Sequence, residues 1–298
     1  MDSGLPVADA PVPVAALWRH IRICEIVAYC ERPPGLDAGW SLAGRVRGAL
    51  GRAFGEVPPV RRRPWPLPGA FELLFGEAVA MPEVRGDLFA NPTRPYLLFV
   101  REREGGFEVV VRLFGWSACW EREVAVALER GLAGGISVAA GARARARLRP
   151  VMAPRCEVPV PPPAESGTVA QLSFLSPVAF EREGALAADR EMLLGSLLSR
   201  IAGVTAWHGI VVEADWAELA RVEAGIEFDT GGLRPVAFER VSARQARRIP
   251  MHGFLGSCTL SGYLGPWLPL LHLAPLLHLG SHTAFGMGRC TVAVSEGV

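Results

Sequence analysis

Six histidines, 31 arginines and a glycine-punctuated stretch near the C-terminus are the parts of this 298-residue chain that could do chemistry. The stretch from Leu276 to Val294 reads LLHLGSHTAFGMGRCTVAV. It opens as an apolar, helix-like run, turns through Gly280, Gly286 and Gly288, and leaves as an alternating strand from Cys290 to Val294. Such a joint is either a plain turn or a cradle of N–H groups in which a cation and a phosphate can meet. His282 lies inside it and could touch a phosphate. His278, on the apolar run, reads as a core histidine. His208, in AWHG, reads as a helix-end residue, and His20 opens a strand from which it could reach a shared cleft.

Three arginine clusters could bind anions. Arg143, Arg145, Arg147 and Arg149 alternate with alanine and leucine. In a strand all four would point to one face, about 6.5–7 Å apart, which suits successive phosphates of an extended nucleic acid. The alternative is a solvated edge strand protected from aggregation by its charge. Arg240, Arg244, Arg247 and Arg248 mark a basic hairpin tip, RVSARQARR. Arg45, Arg47 and Arg52 lie on a helix capped by Ser41, with the triplet Arg61, Arg62 and Arg63 following. The chain has no lysine. A GC-rich genome produces that bias, and planar, bidentate phosphate recognition could use it.

Other chemistries find no support. The cysteines at 24, 30, 119, 156, 258 and 290 form no Cys-x-x-Cys pair, and His272 and His278 lack ligand spacing, so neither a metal nor a cofactor is expected. There is no Gly-x-Ser-x-Gly and no Walker loop. Unpaired thiols suit a reducing, cytoplasmic setting. The N-terminus lacks the basic region of a signal peptide. The most apolar run, Leu264 to Gly280, is broken by Pro266, Pro269 and Pro275 and reads as a core segment rather than a membrane span.

The positioning elements repeat. Strand His20–Cys30 precedes the Ser41 helix, strands Tyr96–Arg101 and Phe107–Leu113, helix Glu121–Leu132 and a final strand, Ile136–Arg149. Strand Val169–Phe180, helix Ala187–Val204, strands Leu233–Ser242 and Ile249–Leu260, the Pro-interrupted segment and strand Gly288–Val294 then give the same order. The expected class is α+β, with two tandem ferredoxin-like, RRM-like βαββαβ domains. Residues 1–152 form the first, with a Pro-rich insertion at 56–94. Residues 153–167 form a Pro-rich linker, and 168–298 form the second domain with the glycine loop.

RGALGRAF at 47–54, the segments 112–135 and LSFLSPVAF at 172–180, RVSARQARRIPMHGFLGSCTL at 240–260 and HLGSHTAFGMGRC at 278–290 occur in one order. Together the chain resembles the CRISPR-associated endoribonucleases that process precursor crRNA, members of the RAMP (repeat-associated mysterious protein) superfamily. The resemblance implies RNA bound in and over a cleft between two ferredoxin-like domains. It implies metal-independent cleavage of CRISPR repeat stem-loop RNA, in which the ribose 2′-OH attacks the adjacent phosphate. It also implies retention of the crRNA and partner subunits of an interference complex, with no membrane. Many family members place a catalytic histidine on the first helix, after a tyrosine at the end of the first strand. Here Tyr29 ends that strand, and the helix offers Arg45 and Arg47, with Arg32 in the connection. The resemblance therefore implies an arginine-centred site like that of the type IV branch, built from Arg32, Arg45, Arg47 and Tyr29, with His20 as the histidine alternative. A non-catalytic crRNA-binding scaffold subunit is the rival reading.

Overall fold

The computed structural model describes residues 10–56, 69–76, 93–139, 142, 144–153, 156–164, 166–182, 185–242 and 247–297. Along the first half run β1 (Val12–Pro13), α1 (Leu17–His20), β2 (Ile23–Glu31), α2 (Ser41–Ala53), α3 (Ala70–Phe75), β3 (Tyr96–Arg103), β4 (Gly106–Phe114) and α4 (Glu121–Ala133). Then come the short strands β5 (Ile136–Ser137), β6 (Arg145–Ala146), β7 (Val151–Met152) and β8 (Cys156–Glu157). The second half contains β9 (Val169–Val178), β10 (Glu181–Arg182), β11 (Ala185–Leu186), α5 (Arg190–Ala206), β12 (Val212–Glu213), α6 (Trp216–Ala224), β13 (Glu227–Asp229), β14 (Leu233–Ser242), β15 (Arg247–Ser261), α7 (Leu268–Leu271), α8 (Ala274–Leu277) and β16 (Cys290–Ser295).

The first sheet has the order β3-β4-β2-β7, with β8 also on β2, and the second has β14-β15-β9-β16, with β13 also on β15. Both are antiparallel, and in both the first strand is central between the third and the fourth. This is the tandem ferredoxin-like arrangement. Strand β2 shows why the halves hold together. Cys24, Ile26, Ala28 and Cys30 face the core with α2 and α4, while Ile23 and Val27 belong to a core that includes Leu193, Leu197 and Leu277 of the second half. The period of two along a strand thus presents apolar residues to both layers.

Three expectations need correction. Ile136–Arg149 is not one strand: among the described residues only β5 and β6 form there, paired antiparallel, and Arg145–Ala146 is the strand portion of the arginine row. The fourth position of the sheet is filled by β7 and β8 instead. Small alanines beside the arginines offer little to bury, whereas Val160 just beyond β8 is buried. Second, β8 falls in the stretch expected to be linker; proline is tolerated there because these pieces lie at a sheet edge. Third, His20 closes helical turn α1, anchored by buried Leu17 and Ile21, and precedes the strand rather than opening it. The pair α6 and β13 was not expected, although the Asp215 carboxylate accepts from the Glu218 N–H at 2.8 Å as an N-cap. The Pro-interrupted segment does restart at each proline.

No described helix is long and apolar enough to cross a membrane. Among the described residues no group of three or more His, Cys, Asp or Glu side chains is arranged to hold a metal ion.

Candidate active site

The glycine loop docks on α2. Gly286 has φ +87°, and a Cβ there would lie 2.6 Å from the Ala43 Cβ. At Gly288, with φ +73°, a Cβ would lie 1.7 Å from the Leu279 carbonyl oxygen. Both positions combine a left-handed backbone with close approach, so only glycine lets the loop reach the helix. Between them a 3-10 turn, Thr283–Phe285, projects Phe285.

Phe285 orients arginines from both halves. The Arg47 and Arg240 guanidinium carbons each lie 4.4 Å from its ring centroid. Arg47 also lies 4.6 Å from the Phe75 centroid, and its Nε donates to Tyr96 Oη at 2.9 Å. Its two terminal nitrogens have no partner among the described residues. Two aromatic faces and one hydrogen bond therefore fix its direction without neutralising its charge.

Arg47 opens onto a cleft of about 800 Å³, also lined by Arg94, Ser196, Ser199, Arg200, Gly280 and His282. His282 adopts a left-handed backbone, φ +63°, and its Nε2 lies 4.0 Å from Glu181 Oε1. Burial, with a smaller push from Arg240 and against the pull of Glu181, lowers its pKa below the ordinary 6.5. A neutral imidazole at pH 7 can accept a proton.

The loop is anchored from behind by buried arginines at the carbonyl end of α8. Arg112 donates to the Leu276 oxygen and is paired with Glu25 at 2.6 Å, while Arg200 Nε donates to the Leu277 oxygen at 2.8 Å. Cations at a helix C-terminus satisfy its free carbonyls. His278 is buried beside them, with φ +58° and its ring 5.0 Å from that of Phe99. Burial first, then Arg112, Arg200 and Arg289, hold its pKa well below the ordinary value. It is a neutral core histidine.

The remaining predicted residues are spread out. Arg45 is half-buried, and its side chain donates to the Ser137 and Asp37 carbonyls, tying α2 to the loops beside it. Arg32 forms an ion pair with Glu102 and lines a different cleft, with Trp40, Arg101, Arg103 and Arg289. Tyr29 is exposed on the sheet near Arg103. His20 is exposed and is not among the residues lining the Arg47 cleft. His208 follows α5 and bridges the halves through the Arg22 backbone, whose N–H it accepts at 2.8 Å. Arg52 and Arg145 both donate to the Gly135 carbonyl beyond α4, and Arg147 and Arg149 are exposed beside that end. Arg248 pairs with Glu239 at 2.9 Å. Arg61, Arg62, Arg63, Arg143 and Arg244 lie outside the described residues, as does the Arg247 side chain. Sequence reasoning missed Arg94, Arg200, Phe285, Ser196 and Ser199. The available signal was a lone arginine amid LLGSLLSRIAGV, flanked by a small-residue stripe on one helix face.

Residues 172–290 match the family model of the CRISPR-associated endoribonuclease Cas6. No curated protein matches the chain. Among solved structures, a Cas6 product complex is similar at 19% identity and TM-score 0.53, covering 91% of this chain and 99% of the other. A Cas6 substrate mimic complex gives 19% and 0.52, with 91% and 99% covered. A Thermus thermophilus Cas6 gives 16% and 0.50, with 92% and 98% covered. At these identities the likeness to solved structures is one of fold. The tandem ferredoxin-like fold is borne out, and so is the resemblance to the endoribonuclease family over residues 172–290, without its type IV branch.

Proposed function

We propose that this chain, whose residues 172–290 match the Cas6 family model and whose fold is similar to that of solved Cas6 structures, cleaves CRISPR repeat RNA in the cleft between Arg47 and the glycine loop. The carrying observation is that Arg47, held by two rings and a hydrogen bond and with its terminal nitrogens unpartnered among the described residues, shares one cleft with His282. The ribose 2′-OH attacks the adjacent phosphorus as the bond to the 5′-oxygen breaks. The products are a 2′,3′-cyclic phosphate and a 5′-OH. Neutral His282 takes the 2′-OH proton, and water in the open cleft protonates the departing 5′-oxygen. Negative charge grows on the non-bridging oxygens, and a guanidinium already pointing at them strengthens its hydrogen bonds as it grows.

In this reading the site is centred on Arg47, and Arg45 acts as its scaffold. The exposed Arg145, Arg147 and Arg149, with Arg52, guide the RNA backbone outside the cleft. The enzyme keeps its crRNA product for subunits of an interference complex. The reaction uses no metal.

The test is cleavage of a repeat stem-loop RNA in excess EDTA with analysis of the product ends. Cyclic-phosphate and 5′-OH ends are expected, and a 2′-deoxy substitution at the cut site should abolish cleavage. Cleavage that requires Mg²⁺ and leaves 5′-phosphate ends would overturn the mechanism.

A further inference from the structure

Arg200 and Arg112 both cap α8, yet their surroundings differ. Arg112 has the Glu25 carboxylate at 2.6 Å. Arg200 has no acidic partner among the described residues: its Nε donates to Leu277, the Phe114 ring centroid lies 5.8 Å away, and its buried Nη2 has no hydrogen-bond partner there. The residue is 6% exposed. Burial alone pulls the guanidinium down to about 9, which still leaves it charged at pH 7. A buried, unpaired cation is costly, and a buried polar atom without a partner calls for one. The cap uses only one donor.

Arg200 also lines the floor of the cleft that Arg47 borders. One helical turn places Ser196, Ser199 and Arg200 on the same face of α5. Ser196 Oγ accepts from the Gly280 N–H at 2.8 Å, leaving its own hydrogen available to donate. Hydroxyls and a guanidinium that line one cleft form a donor set for a phosphodiester.

We propose that Arg200, Ser196 and Ser199 form a second phosphate subsite, which holds a backbone phosphate of the RNA strand neighbouring the one that faces Arg47. This rests on the RNA reading above and adds to it a second anchoring point that sets how the strand lies across the cleft. The buried cation of the protein is then neutralised by the substrate, and binding recovers part of the cost of leaving it unpaired.

The experiment measures affinity for an uncleavable repeat RNA, 2′-deoxy at the cut site, against salt concentration. Wild type is compared with Arg200→Gln, Arg200→Lys, Ser199→Asp and Arg47→Ala, each checked by thermal melting. Arg200→Gln should weaken binding about tenfold and reduce the log-salt slope by about one. Arg200→Lys should keep the slope. Ser199→Asp leaves the cap on α8 intact and should weaken binding by repelling the phosphate, so the inference stays testable if Arg200→Gln does not fold. Wild-type affinity and slope in both Arg200→Gln and Ser199→Asp, while the wild-type protein itself binds the RNA in a salt-sensitive way, would overturn the subsite alone. Absence of salt-sensitive RNA binding by the wild-type protein would overturn the RNA reading and the subsite together.

Discussion

Two of the arginine-lined clefts of this molecule hold their arginines in different states. Beneath the glycine loop, Arg47 is held by Phe285, Phe75 and Tyr96, and Arg200 by a backbone carbonyl; neither has a carboxylate partner among the described residues. In the other cleft Arg32 pairs with Glu102, Arg101 with Glu25 and Glu108, and Arg103 with Glu108. Both clefts carry several guanidinium groups, but in the second three of the four arginines that line it are held by carboxylates and only Arg289, which donates to the Val100 carbonyl at 3.3 Å, is without one among the described residues, so less of its charge is left for an incoming anion. A paired guanidinium must give up its carboxylate, or share it, before it can serve a phosphate. Aromatic faces fix the direction of a cation and leave its in-plane N–H groups pointing outward. Counting arginines along the sequence therefore says less about the site than knowing what each one already touches.

The largest expected effect comes from removing the free cation. Arg47→Ala should lower the single-turnover cleavage rate at saturating enzyme by about 10²–10³, the scale for losing one preorganised transition-state donor. RNA affinity should change far less. A normal saturated rate with weakened affinity would make Arg47 a clamp and remove the contrast between the clefts.

The proton acceptor gives a smaller effect with a signed pH dependence. The His282 pKa is depressed, so the imidazole is neutral across the physiological range and protonates only as pH falls through a value below 6.5. Acting as a base, it should give a rate that is level near pH 7–8 and declines on acidification. His282→Ala should lose roughly 10²-fold, the lower end for general base catalysis, together with that acid limb. A rate that instead falls as pH rises toward 8 would assign the protonated form.

These two residues also mark how far the sequence could be read. The glycine loop and the Ser41 helix were each legible, because turn glycines and amphipathic spacing are local signals. Their meeting was not. Arg45 and Arg47 are two apart on one helix, and nothing in their spacing says that Arg45 turns inward to carbonyls while Arg47 faces the cleft. That assignment depends on Ser137, Tyr96 and Phe285, all distant in sequence. The GARARARLR pattern matched a strand period, yet its alanines provide no apolar face to dock, and Val151–Met152 took the sheet position. Arg200 escaped notice for the opposite reason: its neighbours are so apolar that the helix reads as plain core, and a single cation within it carries no periodic signal.

The smallest effect is expected at Arg32, and it tests the comparison from the other side. Arg32 lies in the connection after β2, where the family resemblance made it a candidate for chemistry, but its side chain is 39% exposed and already engaged with Glu102, itself 63% exposed. Exposed ion pairs of this kind contribute about 0–1 kcal/mol, because solvent screens the attraction and both side chains lose freedom. Arg32→Ala should therefore leave the saturated cleavage rate within about twofold and shift stability by no more than about 1 kcal/mol. Glu102→Gln sharpens the point. If pairing is what keeps Arg32 from serving RNA, freeing it should tighten binding slightly and steepen the log-salt slope by up to about one. The chemistry should not change. A loss near 10² in rate for Arg32→Ala would mean that a carboxylate-paired arginine still reaches the reacting phosphate, and the pairing state of a guanidinium would no longer distinguish the two clefts.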